Sequence, residues 1–492
     1  MKRSALSIIF SALLSLVFLL SIQIHAFSQD NISKIDVLIQ AYIDLGQFNG
    51  SVLVAEKGKV IYKKGFGLAN REWNLPNEPN TKFRLGSITK QFTSMLILQL
   101  VEKGKLDLQG KLSDYLPYYR KDTGSQVTIH HLLTHSSGIP SYTSIPNFFE
   151  EISRDPYSVE EFVKKYCSGD FQFEPGSRFL YNNSGYFLLG AIIEEITGKT
   201  YEEVLNEKIF SPLGMENSGY DRPGPIIPNR ASGYSNAFDG YTNAPYLDMS
   251  LPYAAGSLYS TVEDLYLWDQ ALYTEKLLSA EMRELMFTPH MTNYGYGWGV
   301  RQKSLPDSKE KLISIAHGGG INGFNTWIER LVDEKHLIVL LNNTPGANLG
   351  QMSDAIIRIL YGKPYDFPKK SIANILYKIL MEKDVKSAIE QYETLKKDHP
   401  KDYNFLAQEL NTLGYYLLTE KKRTKDAIEI FKLNIKAYPK YANGYDSLAE
   451  AYMISGDKKL AIKNYAKSLE LNPNNANAVE KLNELVKNQP YD

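Results

Sequence analysis

Cysteine is almost absent from this chain of 492 residues, in which the only cysteine is Cys167. A single thiol cannot form an internal disulfide or build a zinc site from cysteines. No histidine lies near it in the segment KKYCSGDF. We therefore expect Cys167 to be a small buried residue without a nucleophilic role.

An excess of charge is also lacking. The formal net charge is −1, and charged residues make up 23% of the chain. No overall field would draw the protein to nucleic acid, so nucleic acid is not an expected partner. Hydrophobic residues make up 43% of the chain, as in ordinary soluble proteins, and the length allows two or more domains.

One long uncharged run stands at the N-terminus. Lys2 and Arg3 precede it, it covers residues 4–24, and the small residues of HAFSQD follow. This order predicts a signal peptide over residues 1–28 and an exported protein, in the periplasm or cell envelope or secreted. The alternative is an uncleaved membrane anchor, and only in that case do we expect contact with a membrane.

Strand and helix patterns alternate in the next part of the chain. Residues 49–70 predict a β-hairpin, helical periodicity begins at Ser87, and residues 348–362 predict a last helix. Later strand-like runs are residues 294–303, 322–332 and 335–343. A chain that begins and ends in strands predicts a mixed α/β (α+β) domain over residues 31–365. Its single sheet would be flanked by helices and interrupted by a large helical insert.

An internal repeat marks the C-terminal part of the chain. Ala388, Ala427 and Ala461 are each followed by an aromatic residue four positions later and by a proline twelve positions later. The last two alanines are 34 residues apart, and the segment is similar to tetratricopeptide repeats, with two good units and a first unit that lacks a clear first helix. We predict an all-α repeat domain over residues 372–492. The alternative is a generic helical bundle.

A candidate catalytic pair lies in the segment FRLGSITKQF, residues 83–92. Ser87 and Lys90 are three residues apart and would share one face of a helix. A serine becomes nucleophilic when a neighbour takes its proton, and a lysine can do so if burial and a helix N-terminus keep it neutral. The backbone N–H of Ser87 would be free at the helix start to stabilise an oxyanion. The alternative is an ordinary capped helix.

Two further segments carry candidate site residues. Tyr181 and Asn183 precede an apolar helix, where a tyrosine can relay a proton and an asparagine can hold a substrate amide. The segment AHGGGINGF begins with His317 and places three glycines at a strand position, which suggests close approach of a ligand to the backbone. Taken singly, these segments also fit a capped turn and a surface turn.

The three motifs together resemble the serine β-lactamase and penicillin-binding protein superfamily. They are Ser87-x-x-Lys90, Tyr181-x-Asn183 and His317-Gly318-Gly319, in this order. The resemblance is greatest to the class C β-lactamase-related esterases, D-aminopeptidases and DD-peptidases, and it runs from about residue 35 to residue 362. Supporting segments are GKLDLQGKLSDYLP, TIHHLLTHSSGIP, IFSPLGMENSGY and AAGSLYSTVEDLYLWDQAL.

The resemblance implies a β-lactamase/transpeptidase-like antiparallel sheet and acyl-enzyme chemistry. Ser87 would attack a carbonyl, Lys90 and Tyr181 would transfer the protons, and water would release the acyl group. The remaining implied roles are substrate binding by Asn183, His317, Gly318 and Gly319, and a second oxyanion N–H from Gly320.

The chain departs from the family at one motif. Lactamase and transpeptidase members usually have Lys-Thr-Gly where this chain has His317-Gly318-Gly319, and the lysine and threonine bind a substrate carboxylate. A histidine of ordinary pKa is mostly uncharged at neutral pH. The departure favours an esterase or peptidase with a less anionic substrate. We expect His317 to donate a hydrogen bond to the substrate or to Tyr181 instead.

Two histidines have the spacing of a possible metal site. His131 and His135 in HHLLTH are four residues apart, which suits zinc on a helix, but no H-E-x-x-H arrangement is present. The resemblance implies a structural helix end here. We expect no metal and no cofactor.

The sequence therefore predicts an exported serine hydrolase that cleaves a small-molecule ester, amide or peptide through an acyl-enzyme on Ser87. One alternative is a D-amino-acid peptidase, DD-carboxypeptidase or weak β-lactamase acting on cell-wall peptides. Another is a penicillin-binding-type sensor whose repeat domain binds a protein partner.

Overall fold

The structure, a computed structural model, describes residues 29–309 and 311–487. The chain divides into two compact units that separate between Phe367 and Pro368. The predicted signal peptide lies outside the described residues. In the described parts of the chain, no helix has both the length and the apolar composition needed to cross a bilayer.

The first unit is built on a six-stranded antiparallel sheet. Its strands are Gly50–Glu56 (β1), Lys59–Gly65 (β2), Gly299–Ser304 (β3), Lys311–Ile321 (β4), Phe324–Leu331 (β5) and His336–Asn342 (β6). They lie in the order β3-β4-β5-β6-β1-β2, so β1 pairs with a strand from the far end of the unit. The predicted antiparallel sheet, built from both ends of the domain, is confirmed.

Burial along the strands follows their place in the sheet. β6 lies between two partners and buries all seven residues, as its almost unbroken apolar run HLIVLLN requires. β2 is an edge strand and exposes Lys59, Lys63 and Lys64, charges that discourage pairing with another chain.

Helices cover both faces of the sheet. Those that support the site are residues 29–44 (α1), Thr89–Glu102 (α2), Asn183–Thr197 (α3) and Leu349–Leu360 (α4). α1 and α4 share a core with Leu340 of β6, whereas α2 and α3 share a larger core with the neighbouring Val339. Because successive strand residues point to opposite faces, one strand supports both cores.

The other elements of the first unit are short. Its minor strands are Leu68–Asn70, Leu75–Pro76, Phe83–Arg84, Gly219–Tyr220, Tyr234–Ala237, Gly240–Asn243 and Leu258–Ser260. Its other α-helices are Leu112–Tyr115, Lys121–Gly124, Ile129–Leu133, Val159–Tyr166, Tyr201–Leu205, Ser211–Leu213, Tyr253–Gly256, Val262–Ala271 and Ala280–Phe287. Short 3-10 turns are Gly86–Ile88, Tyr142–Ser144 and Met291–Asn293, and π-helical turns are Phe148–Ile152 and Asn206–Phe210.

The second unit is helical, with one short parallel strand pair, Lys370–Ser371 and Tyr403–Asn404. Its helices are Ile372–Glu382, Val385–Asp398, Ala407–Tyr415 with the π-helical turn Tyr416–Glu420, Thr424–Ala437, Ala442–Ser455, Lys458–Leu471 and Ala476–Lys487. The repeat alanines Ala388, Ala427 and Ala461 are all fully buried, as close helix packing requires.

One expectation about the repeats was wrong. A helix, Ile372–Glu382, does precede Ala388 of the first predicted repeat, and it buries Leu376, Tyr377 and Leu380. These residues do not follow the spacing of the last unit, so the pattern alone did not reveal the helix. Each repeat proline stands two residues beyond a helix end, where its missing N–H does no harm.

Candidate active site

Ser87 stands on the 3-10 turn Gly86–Ile88, which leads directly into α2. The sequence predicted a helix from Ser87 onward, and its first turn is tighter than an α-helix. Gly86 has a φ of +54°, and a Cβ there would lie 2.9 Å from the backbone nitrogen and oxygen of Gly320 on β4. Glycine is required for this approach, which places Ser87 beside the backbone of Gly320.

Lys90 brings its amine to the Ser87 hydroxyl. Nζ lies 3.0 Å from Ser87 Oγ, 2.9 Å from Asn183 Oδ1 and 2.9 Å from the backbone oxygen of Ala255. Lys90 is 0% exposed, and burial lowers its pKa well below the ordinary value of 10.5. A neutral amine has two hydrogens and one lone pair. Since both carbonyl oxygens can only accept, the lone pair is left to face the Ser87 hydroxyl.

Tyr181 reaches the same hydroxyl from the residues before α3. Its phenol lies near the Ser87 side chain, and Lys90 Nζ lies 5.0 Å from the centroid of its ring. The residue as a whole is 38% exposed, but its hydroxyl end is enclosed by protein. Burial raises the pKa of the phenol well above its ordinary value, although Ser87 opposes this. A phenol of raised pKa and an amine of lowered pKa therefore flank Ser87.

His135 holds Tyr181 in place, a role that the sequence did not predict. Its backbone oxygen accepts from the N–H of Leu180 at 2.9 Å, and its Nδ1 accepts from the N–H of Asn182 at 3.1 Å. Its ring centroid lies 4.3 Å from that of Tyr181. Burial and nearby Lys90 hold the pKa of His135 well below its ordinary value, so it adds no positive charge beside Lys90.

Asn183 orients Lys90. It is the first residue of α3, whose N-terminus is capped by Asn182 Oδ1 accepting from the N–H of Gly185 at 2.9 Å. Asn183 Oδ1 faces the lysine, and Nδ2 donates to Thr143 Oγ1 at 3.1 Å. Both ends of the amide are engaged by protein groups, so its contact with substrate remains a prediction. Nothing in the sequence had pointed to Thr143 or to the Ala255 carbonyl.

His317 on β4 is uncharged and faces Tyr294. Burial and nearby Lys90 lower its pKa to about 4. Nδ1 lies 2.6 Å from the Gly318 backbone oxygen, and Nε2 lies 2.9 Å from the Tyr294 hydroxyl. Because a carbonyl can only accept, Nδ1 carries the proton and Nε2 accepts from Tyr294. The tyrosine partner of His317 is thus Tyr294, whereas we had expected His317 to donate to the substrate or to Tyr181.

The three glycines of β4 have different surroundings. A Cβ on Gly319 would lie 1.9 Å from the Leu85 backbone oxygen, and one on Gly318 would lie 3.1 Å from the Trp327 indole. A Cβ on Gly320 would meet nothing within 4 Å. We had expected a ligand to make the close approach, but at Gly319 the chain's own backbone makes it. Only Gly320 looks into open space.

Two cavities lie at the candidate site, one lined by Ser87 and the other by Tyr181. We call the first the serine cavity; its volume is about 760 Å³, and it is lined by Ser87, Asn183, Gly320, Tyr142, Phe148 and Leu251 among others. We call the second the tyrosine cavity; its volume is about 640 Å³, and it is lined by Tyr181, His317, Gly318, Tyr294, Arg301 and Trp327 among others.

Other chemistry-bearing residues lie apart from this arrangement. Cys167 is fully buried, and burial raises the pKa of its thiol to about 12. His131 belongs to the helix Ile129–Leu133, whereas His135 lies beyond its end with a left-handed φ of 55°. Within residues 29–309 and 311–487, no group of three or more His, Cys, Asp or Glu is placed to hold a metal ion.

Known proteins match the first unit over nearly its whole length. The profile of the beta-lactamase family matches residues 35–362. Penicillin-binding protein 4* of Bacillus subtilis (strain 168) is 32% identical over 371 residues, covering 70% of this chain and 79% of that protein. A teichoic acid D-alanine hydrolase of Staphylococcus aureus is 28% identical over 336 residues, covering 67% and 79%.

A solved structure also matches the first unit. The D-amino acid amidase of Ochrobactrum anthropi SV3 superposes with a TM-score of 0.59 at 25% identity, over 68% of this chain and 99% of that one. The family match covers well over half of the chain. The chain therefore belongs to the beta-lactamase family, within the serine β-lactamase and penicillin-binding protein superfamily, and is a serine hydrolase.

Proposed function

We propose that the protein is an exported enzyme that cleaves an ester or amide bond through an acyl-enzyme on Ser87. The observation that carries this is the buried Lys90 amine, which faces Ser87 Oγ at 3.0 Å while two carbonyl oxygens engage its other positions. A base in this state can take the serine proton without first losing one of its own. Tyr181 is the proton donor on the other side of Ser87.

During acylation the enzyme passes one proton from Ser87 to the leaving group, by way of Lys90 and Tyr181. Ser87 gives its proton to Lys90 Nζ, and Oγ attacks the substrate carbonyl. The negative oxygen that forms is held by the backbone N–H groups of Ser87 and Gly320. The bond to the leaving atom breaks as Tyr181 gives that atom its phenol proton, and the Lys90 ammonium restores the proton to Tyr181. The products are the free leaving group and an ester on Ser87.

Deacylation uses the same residues in the reverse sense. A water molecule enters the place of the leaving group, gives a proton to the Tyr181–Lys90 pair and attacks the ester carbonyl. Ser87 leaves with that proton, and the acid product departs. Asn183 keeps Lys90 oriented through both steps.

A second candidate is a hydrolase of D-amino acid derivatives. Among the relatives are proteins named as a teichoic acid D-alanine hydrolase and a D-amino acid amidase. Their names support a D-aminoacyl group as the part that Ser87 carries. The replacement of the lysine and threonine by His317 and Gly318 argues against a substrate with a carboxylate beside the scissile bond, as in D-Ala-D-Ala peptides.

Three finer assignments are part of the proposal. The first unit is a class C β-lactamase-related domain, and the second is a tetratricopeptide-like domain that binds a protein or peptide. The buried alanine and aromatic pairs of the repeats, Ala427 with Phe431 and Ala461 with Tyr465, support the second assignment. The signal-like N-terminus and the names of the relatives support export to the cell envelope.

A substrate panel on the purified full chain tests the proposal. We expect turnover of p-nitrophenyl acetate and of D-alanine esters to exceed that of D-alanyl-D-alanine peptides, and Ser87→Ala to abolish all of it. Unchanged ester hydrolysis in that variant would refute the assignment of Ser87. Stable labelling by a fluorescent penicillin without turnover of any ester would favour the sensor alternative.

A further inference from the structure

We propose that the tyrosine cavity binds the leaving group of the substrate, and that this group is an uncharged polyhydroxylated alcohol, such as a sugar or polyol, stacked on Trp327. The proposal rests on the serine hydrolase function proposed above and adds the chemical class of the alcohol. Four features of the cavity carry it: its position, its aromatic wall, its charge and its polar side chains.

The position of the cavity assigns it to the leaving group. Ser87 opens to the serine cavity, whereas Tyr181 lines the tyrosine cavity. A proton donor must stand beside the atom that leaves, because proton transfer needs hydrogen-bond contact. The acyl group therefore lies on the Ser87 side, and the alcohol departs on the Tyr181 side, past His317 and Gly318.

The wall of the tyrosine cavity is an indole ring made accessible by glycines. Trp327 of β5 lies directly opposite Gly318 of β4. A Cβ on Gly318 would lie 3.1 Å from the ring, and one on Gly350 would lie 3.6 Å from it. Trp327 is half-buried, with one side packed against the core that α1 and α4 share with the sheet. The two glycines therefore leave space beside the ring that a larger residue would fill.

The indole is also fixed in orientation. Its Nε1 donates to Glu329 Oε2 at 3.1 Å. Glu329 in turn accepts from Ser314 at 2.6 Å and from Ser353 at 2.7 Å, and it pairs with Lys303. Burial alone would raise the pKa of Glu329, but Lys303 and the two serines outweigh it and keep the carboxylate charged. A ring held in this way binds a ligand without first losing rotational freedom.

The charges around the tyrosine cavity balance. Lys303 contacts both Glu329 and Asp354, and Arg301 supplies the second positive charge. His317 adds no charge above about pH 4. Two cations and two anions give the lining no net charge, in contrast with the added positive charge of the lysine that the family usually places on this strand.

The remaining lining groups suit hydroxyls. Asn293 and Gln351 present amides and Thr292 a hydroxyl, groups that both donate and accept hydrogen bonds. A flat indole face beside such groups matches a sugar ring, whose C–H face packs on an aromatic ring while its hydroxyls bind polar side chains. An uncharged sugar or polyol therefore fits this wall better than an aliphatic or an anionic alcohol.

Three acetyl esters that differ only in the alcohol test the proposal: 6-O-acetylglucose, ethyl acetate and 3-acetoxypropionate. We expect wild-type kcat/KM to be highest for the glucose ester. Trp327→Ala should lower kcat/KM for that ester about 10- to 100-fold and change ethyl acetate less than about threefold, because only the sugar uses the indole. Trp73→Ala is the matched control, since Trp73 is 79% exposed and lines neither cavity.

The outcomes of these experiments separate the leaving-group proposal from the hydrolase function. Equal losses on the glucose ester and ethyl acetate, or a wild-type preference for the carboxylate ester, would overturn the proposal while leaving the hydrolase function intact. Turnover that survives Ser87→Ala would refute the hydrolase function itself. If Trp327→Ala does not fold, the same rates are measured on Trp327→Phe. Inhibition of the wild-type enzyme by free glucose is then the second test. Free glucose should compete with ethyl acetate in the wild type, and absence of competition would contradict the proposal.

Discussion

His135 and Tyr181 are in contact, with ring centroids 4.3 Å apart and ring planes tilted by 38°, and the same histidine accepts hydrogen bonds from the backbone N–H groups on both sides of that tyrosine. Tyr181, the proposed proton donor, is therefore positioned by a residue that lines neither the serine cavity nor the tyrosine cavity. His135 is a positioning residue, and its left-handed φ of 55° is uncommon for a residue other than glycine.

Substitution of His135 should weaken the proton-donor step. His135→Phe keeps an aromatic ring but loses the acceptor for the Asn182 N–H. We expect kcat on ethyl acetate to fall about 100-fold, since small displacements of a catalytic group have effects of this size. The loss on p-nitrophenyl acetate should be much smaller, because p-nitrophenolate leaves without a proton. The ratio of the two rates is the measurement.

A second buried histidine is the control for that variant. His336 accepts the backbone N–H of Lys57 at 3.2 Å and lies at the far end of β6 from the site. His336→Phe should lower the thermal unfolding temperature without changing the rate ratio. If both variants change the ratio alike, His135 has no special relation to Tyr181.

The pH dependence should report Lys90. Burial lowers its pKa, so the neutral base is present above that lowered pKa and is lost as pH falls through it. Acylation should rise with pH along one limb and level off well below pH 10.5, the ordinary lysine value. The raised pKa of Tyr181 keeps the phenol protonated, so it adds no alkaline loss in that range.

Lys90→Arg tests the same claim with a cation that cannot become neutral. We expect kcat/KM to fall by about 10³-fold on the plateau of the wild-type profile, within the usual range for loss of a general base, and we expect the acid limb to disappear. Lys59→Arg, on the exposed edge strand β2, should leave the profile unchanged. A profile that keeps its acid limb in Lys90→Arg would assign that limb to another group.

Alanine substitutions at two neighbouring glycines of β4 should differ in their effect on stability. At Gly319 a Cβ would overlap the Leu85 backbone oxygen, so Gly319→Ala should cost about 1–3 kcal/mol or more of stability and displace the Ser87 turn. Gly320→Ala has open space, so the thermal unfolding temperature should stay near that of the wild type. Equal unfolding temperatures for the two variants would contradict the close approach of Leu85 to Gly319.

A buried ion pair links the sheet to the helix Val262–Ala271. Arg330 Nε lies 2.6 Å from Asp269 Oδ1, and both side chains are almost fully buried. Arg330→Met would leave the carboxylate without a counter-charge, and we expect a loss of about 3–5 kcal/mol in the free energy of unfolding. Arg330→Met combined with Asp269→Leu should be less destabilised than Arg330→Met alone.

An exposed pair is the comparison for this effect. Lys63 and Glu263 are 36% and 46% exposed, and Lys63→Met should cost less than about 1 kcal/mol. Thermal unfolding of the full chain measures all these variants. Similar losses in Lys63→Met and Arg330→Met would show that burial does not govern the contribution of the ion pair.

Much of the fold could be predicted because its signals are local. The alternating residues of β1 and β2 and the apolar run of β6 mark strands by themselves. A single sheet built from both ends of the domain followed from the order of strands along the chain, whereas the pairing of β1 with β6 is seen only in the structure. The first helix of the second unit was missed because its buried residues, Leu376 and Leu380, carry no repeat spacing.

The site was predictable only in part, since its remaining contacts join distant segments. Ser87 and Lys90 lie on one turn, so their meeting follows from helix geometry. The Ala255 carbonyl that fixes the lysine is backbone, which no residue type can signal. The role of His135 depends on a turn beyond a short helix, and the partner of His317 depends on the fold bringing Tyr294 to β4.

The most direct test is the mass of the enzyme during turnover. Full-length protein mixed with p-nitrophenyl acetate and quenched in acid within the first turnover should gain one acetyl group, located on the peptide that contains Ser87. Ser87→Ala should gain none and release p-nitrophenol at the uncatalysed rate. An acetyl group on a different residue, or turnover that persists in Ser87→Ala, would contradict the account.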